Sequence, residues 1–158
     1  MKVRFRQATE ADFDFLNKMH AACLKEHVER IYPWNPDLFG ETFNPHLIRV
    51  VLVDQIEVGM LQLLQCGGEL YLGNLLILPR FQNHGIGTLV LKNVLEHGQA
   101  LNLPVQLQVL KQNPAKRLYE RLGFISVGET KTHYIMQCSL ALKFGALSSS
   151  QRDSFWQQ

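Results

Sequence analysis

The stretch LLILPRFQNHGIGTLVL, residues 75–91, decides how the chain is read. It opens as a strand-like apolar run, breaks at Pro79, passes Gly85 and Gly87, and resumes with apolar residues at helical spacing. A helix beginning near His84 or Gly85 leaves its first backbone N–H groups without internal partners, and its dipole makes that end partly positive. Gly85 and Gly87 keep side chains away while the backbone wraps close to a ligand, and Arg80 or His84 add charge at the rim. The turn therefore reads as an anion cradle, with phosphate as the fitting guest. A P-loop requires Lys-Ser/Thr after its second glycine, where Thr88-Leu89 stands; a dinucleotide fingerprint requires a third glycine, where Val90 stands. Neither pattern is met. Two glycines alone also fit the bare start of a core helix.

Upstream of this turn, the runs LIRVVLV, EVGMLQLLQ and ELYLGNLLIL, separated by DQI and CGG, predict three antiparallel strands with short turns. Earlier still, KVRFRQ alternates as a half-buried strand with Val3 and Phe5 on one face. Thr9 and Asp12 form a capping arrangement for a helix over about 10–28, its apolar stripe being Phe13, Leu16, Met19, Ala22 and Cys23. The prolines of ERIYPWNPDLFGETFNP preclude a long helix there and favour a loop with one short helix.

Downstream, a helix is expected to run to about Gly98 with Ile86, Leu89, Val90 and Val94 inward, followed by the strand PVQLQVL. NPAKRLYERLGF predicts a short helix with Asn113 as N-cap, Pro114 as first helical residue and Gly123 as its stop. FISVGETKTHYIMQCSL predicts two strands around a turn at Gly128. Antiparallel strands first and a strand-helix-strand crossover later imply an α/β fold, a mixed sheet of about seven strands flanked by helices.

A chain of 158 residues buries roughly two thirds of its unfolded surface and fits one domain, expected over 1–142, with a loose extension over 143–158 that carries an unexplained Phe155-Trp156 pair. With 16 basic and 14 acidic residues, the net charge of +2 gives no electrostatic reason to expect nucleic acid or a membrane as partner. Cys23, Cys66 and Cys138 form no CxxC pair and no metal framework, and are expected to pack as reduced, small apolar groups. No run approaches the ~20 apolar residues that span a bilayer, and MKVRFRQATEADFDF lacks a signal-peptide core, so a cytoplasmic protein is expected.

Ile77-x-Pro79-x-x-Gln82-x-x-Gly85-x-Gly87 at a strand-to-helix junction, followed by Asn113-Pro-Ala-x-x-Leu118-Tyr119-x-x-Leu122-Gly123-Phe124, resembles the GCN5-related N-acetyltransferases over about residues 3–138. The resemblance implies that the pyrophosphate of coenzyme A sits on Gln82, Asn83, His84, Gly85, Ile86, Gly87 and Thr88. It implies splayed fourth and fifth strands, with the pantetheine arm on the backbone of Leu75, Leu76 and Ile77 and in contact with Asn113. Acetyl-CoA is then the cosubstrate, with no metal, and an amine of a small molecule or a protein is the acceptor. Acetyl transfer to a primary amine within a ternary complex needs a neutral amine, oxyanion stabilisation and a proton for the thiolate.

Tyr119 matches the family's tyrosine near the coenzyme sulfur and is implied as general acid; backbone N–H groups around Leu76 and Ile77 are implied as oxyanion donors. Where some members that acetylate protein N-termini carry a glutamate, this chain has Gln108, which cannot accept a proton near neutral pH. Asn74, or Glu26, His27 and Glu29 at the end of the first helix, are the candidates to hold a water that removes the amine proton. His133 and Tyr134 fall where members place substrate-facing side chains, and Trp34, Tyr32 and Phe39 offer an aromatic wall for the acceptor. The alternative is a coenzyme A-binding or sensing module of the same fold without catalysis. A homodimer and a longer acyl donor stay open.

Overall fold

A computed structural model describes residues 1–139. The extension expected at 143–158 lies outside the described residues. Strands β1 (Val3–Gln7), β2 (Ile48–Val53), β3 (Ile56–Cys66), β4 (Glu69–Ile77), β5 (Val105–Leu110), β6 (Ile125–Glu129) and β7 (His133–Cys138) form one sheet in the order β1-β2-β3-β4-β5-β7-β6. Its helices are α1 (Phe13–Glu29), α2 (Leu38–Glu41), α3 (Ile86–Leu101) and α4 (Lys116–Arg121). Pairing is antiparallel for β1/β2, β2/β3, β5/β7 and β6/β7, and parallel for β4/β5, which is the mixed sheet that the element order implied. The chain divides into two compact units, one of Met1–Gln62 with Asn74–Gly87, the other of Leu63–Gly73 with Thr88 onward.

In the first unit, β2 and β3 are joined through Asp54 and Gln55, both at positive φ (51° and 68°). That is the combination whose twist suits a two-residue hairpin, reached here without glycine. The register then jumps from Val51↔Gly59 to Leu52↔Glu57, leaving Val58 as the extra residue of a bulge. The core gathers Leu16 and Met19 of α1, Phe39 of α2, and Ile48, Val50, Met60 and Leu76 of the strands. Each such side chain contributes roughly 1.5–3 kcal/mol by leaving water. A 3-10 turn over Glu10–Asp12 precedes α1. The Asp12 carboxylate accepts the Thr9 N–H at 2.8 Å and two Arg6 N–H bonds at 2.9 and 2.8 Å. Arg6 also pairs with Glu57.

The expected stripe of α1 needs one correction. Ala22 is exposed and His20 is buried in its place, because Ala22 lies about 120° round the helix from Leu16 whereas His20 stays close to the stripe's centre. The Pro-rich segment holds one short helix, α2, as expected, and a 3-10 turn over Pro45–Leu47 begins at its last residue.

In the second unit, β4 pairs with β5 from Leu70↔Val105 to Leu72↔Leu107. α3 does not stop at Gly98. A Cβ on that residue would sit 2.9 Å from the Leu103 oxygen and 3.0 Å from Val105 Cγ2, so the glycine answers a close approach. Termination falls to Asn102 at φ 57°, where the Leu103 N–H donates to the Gly98 oxygen (2.8 Å) and the Asn102 N–H to the Gln99 oxygen (3.0 Å). This is the Schellman pattern with asparagine in the left-handed position.

α4 ends the same way at Gly123 (φ 99°), with Phe124 N–H to the Tyr119 oxygen at 3.0 Å and Gly123 N–H to the Glu120 oxygen at 3.1 Å. Gly128 is not the turn between the last strands. It lies in β6 opposite Ile135 beside a register jump that skips Val127. The connection runs over 130–132, where Thr130 Oγ1 accepts the His133 N–H at 2.9 Å. Among the described residues no helix is long and apolar enough to cross a membrane.

Candidate active site

β4 hands the chain to α3 through a 3-10 turn over Pro79–Phe81 and then Gln82–Gly85. Asn83 (φ 63°) and Gly85 (φ 82°) are both left-handed, the kind of backbone in which successive N–H groups can form an anion-binding nest. Gln82, Asn83, His84 and Gly85 are exposed, Ile86 is buried, and Gly87 and Thr88 are half-buried. A Cβ at Gly85 would touch nothing within 4 Å, so glycine is required there by its φ and not by crowding. The loop is tied to the strand it leaves: Gln82 Nε2 donates to the Ile77 oxygen at 2.9 Å, and Cys23 Sγ reaches the same oxygen at 3.3 Å. Burial pushes the Cys23 thiol up to about 11, leaving a neutral donor and no nucleophile. The Ile77 carbonyl thus accepts from both side chains. Arg80 stacks its guanidinium 4.8 Å over the Phe81 ring.

The same unit holds the α1 and Pro-rich candidates. Phe39 is a core anchor, 6.1 Å from the Phe13 ring, 5.6 Å from Phe43 and 4.9 Å from His20. Trp34 also lies against His20, with ring centroids 5.3 Å apart, while Tyr32 is exposed. His20 Nδ1 is buried without a partner among the described residues, and burial lowers the imidazole's pKa. Glu29 pairs with Lys25 at 3.9 Å and Glu26 with Arg30 at 3.2 Å, both exposed i,i+4 pairs of a solvated helix face. Asn74 Nδ2 donates to Gln62 Oε1 at 3.0 Å across β3 and β4.

The second unit carries the others. Asn113 Oδ1 accepts the Ala115 N–H at 2.9 Å, capping a tight turn; α4 proper starts at Lys116, later than the expected Pro114. Tyr119 packs edge-on against Phe124 with centroids 5.7 Å apart, the apolar contact that accompanies the Schellman end of α4. Burial pushes its phenol up to about 12. Gln108 is exposed on β5 opposite Ile135. His133 Nδ1 lies 2.7 Å from Thr132 Oγ1, and its pKa is lowered by burial. Tyr134 is flanked by Lys116 Nζ at 4.2 Å and Lys111 Nζ at 5.4 Å from its ring.

The first unit thus brings together Leu75, Leu76, Ile77 and the loop Gln82–Gly87 with Glu29, Trp34 and Asn74, and the second holds Thr88, Gln108, Asn113, Tyr119 and His133. Sequence reasoning missed His20, Gln62 and the role of Cys23. His20 was visible as a polar residue on an apolar stripe; the other two depend on contacts across strands. The cysteines do not all pack as apolar groups: Cys66 is exposed, whereas Cys138 is buried. Among the described residues no group of three or more His, Cys, Asp or Glu could hold a metal ion.

Residues 13–124 match the model of a family described as acetyltransferase (GNAT) family. No curated protein matches the chain. Among solved structures, the chain is similar to a PaiA N-acetyltransferase from Thermoplasma acidophilum in complex with coenzyme A, at 17% identity over 88% of this chain and 99% of that one, with TM-score 0.73. It is also similar to the ribosomal-protein-S18-alanine N-acetyltransferase from Escherichia coli (17% identity, 86% and 92% covered, TM-score 0.66). A third is an Arabidopsis thaliana protein in complex with the bisubstrate analogue CoA-Ac-MVNAL (16% identity, 88% and 99% covered, TM-score 0.63). At these identities the likeness is one of fold.

Proposed function

Since the chain belongs to the GNAT family of acetyltransferases, we propose that it is an acetyl-CoA-dependent N-acetyltransferase that transfers to a primary amine directly, without an acyl-enzyme. The observation that carries this reading is the turn before α3, where Asn83 and Gly85 are left-handed and residues 82–85 are exposed, a backbone suited to holding a diphosphate on its N–H groups. When bound, acetyl-CoA supplies the activated acyl carbon and a thiolate leaving group. The chain's own residues bind and orient it. The loop over 82–88 takes the diphosphate, and the lock of Gln82 on the Ile77 oxygen keeps that loop in register with β4. A backbone N–H at this end of β4, around Leu76 and Ile77, would stabilise the developing oxyanion. Tyr119 holds the proton that the departing sulfur takes up as the C–N bond replaces the C–S bond, and regains one from solvent. The amine's surplus proton leaves through water, because Gln108 accepts none and Glu26 and Glu29 are held in ion pairs.

The test is free thiol released from acetyl-CoA in the presence of an amine library, above hydrolysis. Tyr119→Phe should lower kcat by the 10² to 10⁴ expected for a lost general acid and leave coenzyme A affinity nearly unchanged. Unchanged kcat where chemistry limits the rate removes Tyr119 from the mechanism. Coenzyme A binding with no thiol release from any amine would make the protein a coenzyme A sensor instead.

A further inference from the structure

The ladder between the parallel strands β4 and β5 runs only from Leu70↔Val105 to Leu72↔Leu107. From Gln108 onward β5 is held by β7, with Gln108 opposite Ile135 and Leu110 opposite His133. Leu110 is also where the chain turns, since the Asn113 N–H donates to its oxygen at 2.9 Å. Open α/β sheets take their ligands at the carboxyl ends of parallel strands, and His133 stands beside this one.

Register sorts the side chains here by face. Opposed residues of an antiparallel pair share a face and successive residues alternate, so His133 and Ile135 lie with Gln108 and Leu110, while Tyr134, Met136 and Cys138 lie on the other side. α4 covers that other side, with Lys116 Nζ 4.2 Å from the Tyr134 ring and Cys138 Sγ 3.8 Å from the Leu122 oxygen. Tyr119, borne on α4, and His133 therefore belong to opposite faces of the sheet. The proton donor to sulfur and the proton acceptor from nitrogen serve atoms that separate as the C–N bond replaces the C–S bond, so an acid and a base on different sides suit the transfer.

The turn fixes the imidazole twice: His133 Nδ1 lies 2.7 Å from Thr132 Oγ1, and the His133 N–H donates to Thr130 Oγ1 at 2.9 Å. An imidazole whose Nδ1–H donates to the Thr132 hydroxyl carries its lone pair at Nε2. Neighbouring charges are engaged elsewhere or solvated. Lys111 Nζ bonds Glu129 at 2.6 Å beside Tyr134, on the α4 side, and Lys131 is exposed in the turn. Gln108, Leu110, Ile135 and Gly128, which share the face of His133, carry no charge. Burial holds the ring below the ordinary 6.5, so it is neutral and able to accept at pH 7.

We propose that His133 is the proton acceptor of the transfer: one water carries the amine's surplus proton to Nε2, which Thr132 keeps unprotonated by binding Nδ1–H. This rests on the N-acetyltransferase reading and supplies the end point of its water path. As the amine nitrogen bonds to the acyl carbon and the C–S bond breaks, the sulfur takes the Tyr119 proton and His133 takes the nitrogen's. The imidazolium then loses its proton to solvent, and Tyr119 regains one.

The first measurement does not need turnover. The ring 15N resonances of His133 at pH 8 should show the Nδ1–H tautomer, and in Thr132→Val that fixed preference should be lost. An Nε2–H tautomer in the wild-type protein overturns the inference, because Nε2 then has no lone pair to offer; a tautomer unaltered in Thr132→Val overturns the role of Thr132.

The second measurement is single-turnover acetyl transfer from acetyl-CoA to an amine that the wild-type protein acetylates. His133→Gln should lower the rate by roughly 10²-fold or more and leave coenzyme A affinity unchanged. The wild-type rate should fall with pH below 6.5, and that acid limb should be missing from His133→Gln. An unchanged rate, or a limb that persists in the variant, overturns the inference and leaves the acetyltransferase reading standing. A wild-type protein that releases thiol with no amine refutes that reading and the inference together, so the two failures are distinct.

Discussion

Gly59→Ala probes the strand on which the proposed thioester arm depends. A Cβ at this position would lie 2.3 Å from the Leu76 oxygen, 2.9 Å from Ile77 Cδ1 and 3.3 Å from Ile77 Cα. Real Cβ contacts essentially never fall below 3.0 Å, so β3 and β4 must part by at least 0.7 Å here, and the obstacle is main chain that no rotamer change can clear. Next to it the Leu78 N–H donates to the Val58 oxygen at 2.8 Å, and a parting of that size stretches this bond to the edge of what counts as a hydrogen bond. Overpacking costs about 1–3 kcal/mol and the weakened bond about 1 more, giving a loss of roughly 2–4 kcal/mol. For a chain of this length that is a fall in Tm of roughly 5–15 °C. Thermal unfolding measures it, with Gly68→Ala as the control, since a Cβ at Gly68 meets nothing within 4 Å. Calorimetry with coenzyme A on the folded fraction should show weakened binding, because the displaced segment includes Leu76 and Ile77. A Gly59→Ala protein within about 2 °C of wild type would refute the reasoning that this approach is unyielding.

Two further outcomes follow from the titrating groups. The hydrogen bonds from Arg6, together with the Thr9 N–H, hold the Asp12 carboxyl down to about 2 against an ordinary 3.8, so its contribution is complete above pH 3.8 and is lost as the pH falls toward 2. Because Arg6 is partly exposed, that contribution is discounted to about 1–2 kcal/mol; chemical denaturation between pH 5 and 2 should show it in the wild type and a flatter curve in Asp12→Asn. With its phenol at about 12, Tyr119 stays protonated through pH 10, so kcat should show no alkaline decline of Tyr119 origin between pH 8 and 10.5. A limb near pH 10 that vanishes in Tyr119→Phe would refute the burial argument.

The parts of this protein that sequence made legible are those whose cause is local. The β-branched and Leu-rich runs of β2–β4, the helical spacing in α3 and the strand-turn-helix change around Gly85 are each set by residues a few positions apart, as is the Asn113 cap. Gly98 and Gly128 were misread because glycine alone does not say whether it stops, bends or lets another chain pass. At Gly98 the answer lies with Leu103 and Val105, and at Gly128 with the register against Ile135. The same division runs through the candidate site. The turn before α3 is main chain, and main-chain geometry follows from nearby sequence. The other candidate residues are side chains whose surroundings are non-local: His20 is covered by Trp34 and Phe39, and Asn74 is met by Gln62 only through the pairing of β3 with β4. Main-chain geometry can therefore be read from a short motif, whereas side-chain pairs such as Gln62–Asn74 depend on strand register, which single-residue motifs pass over.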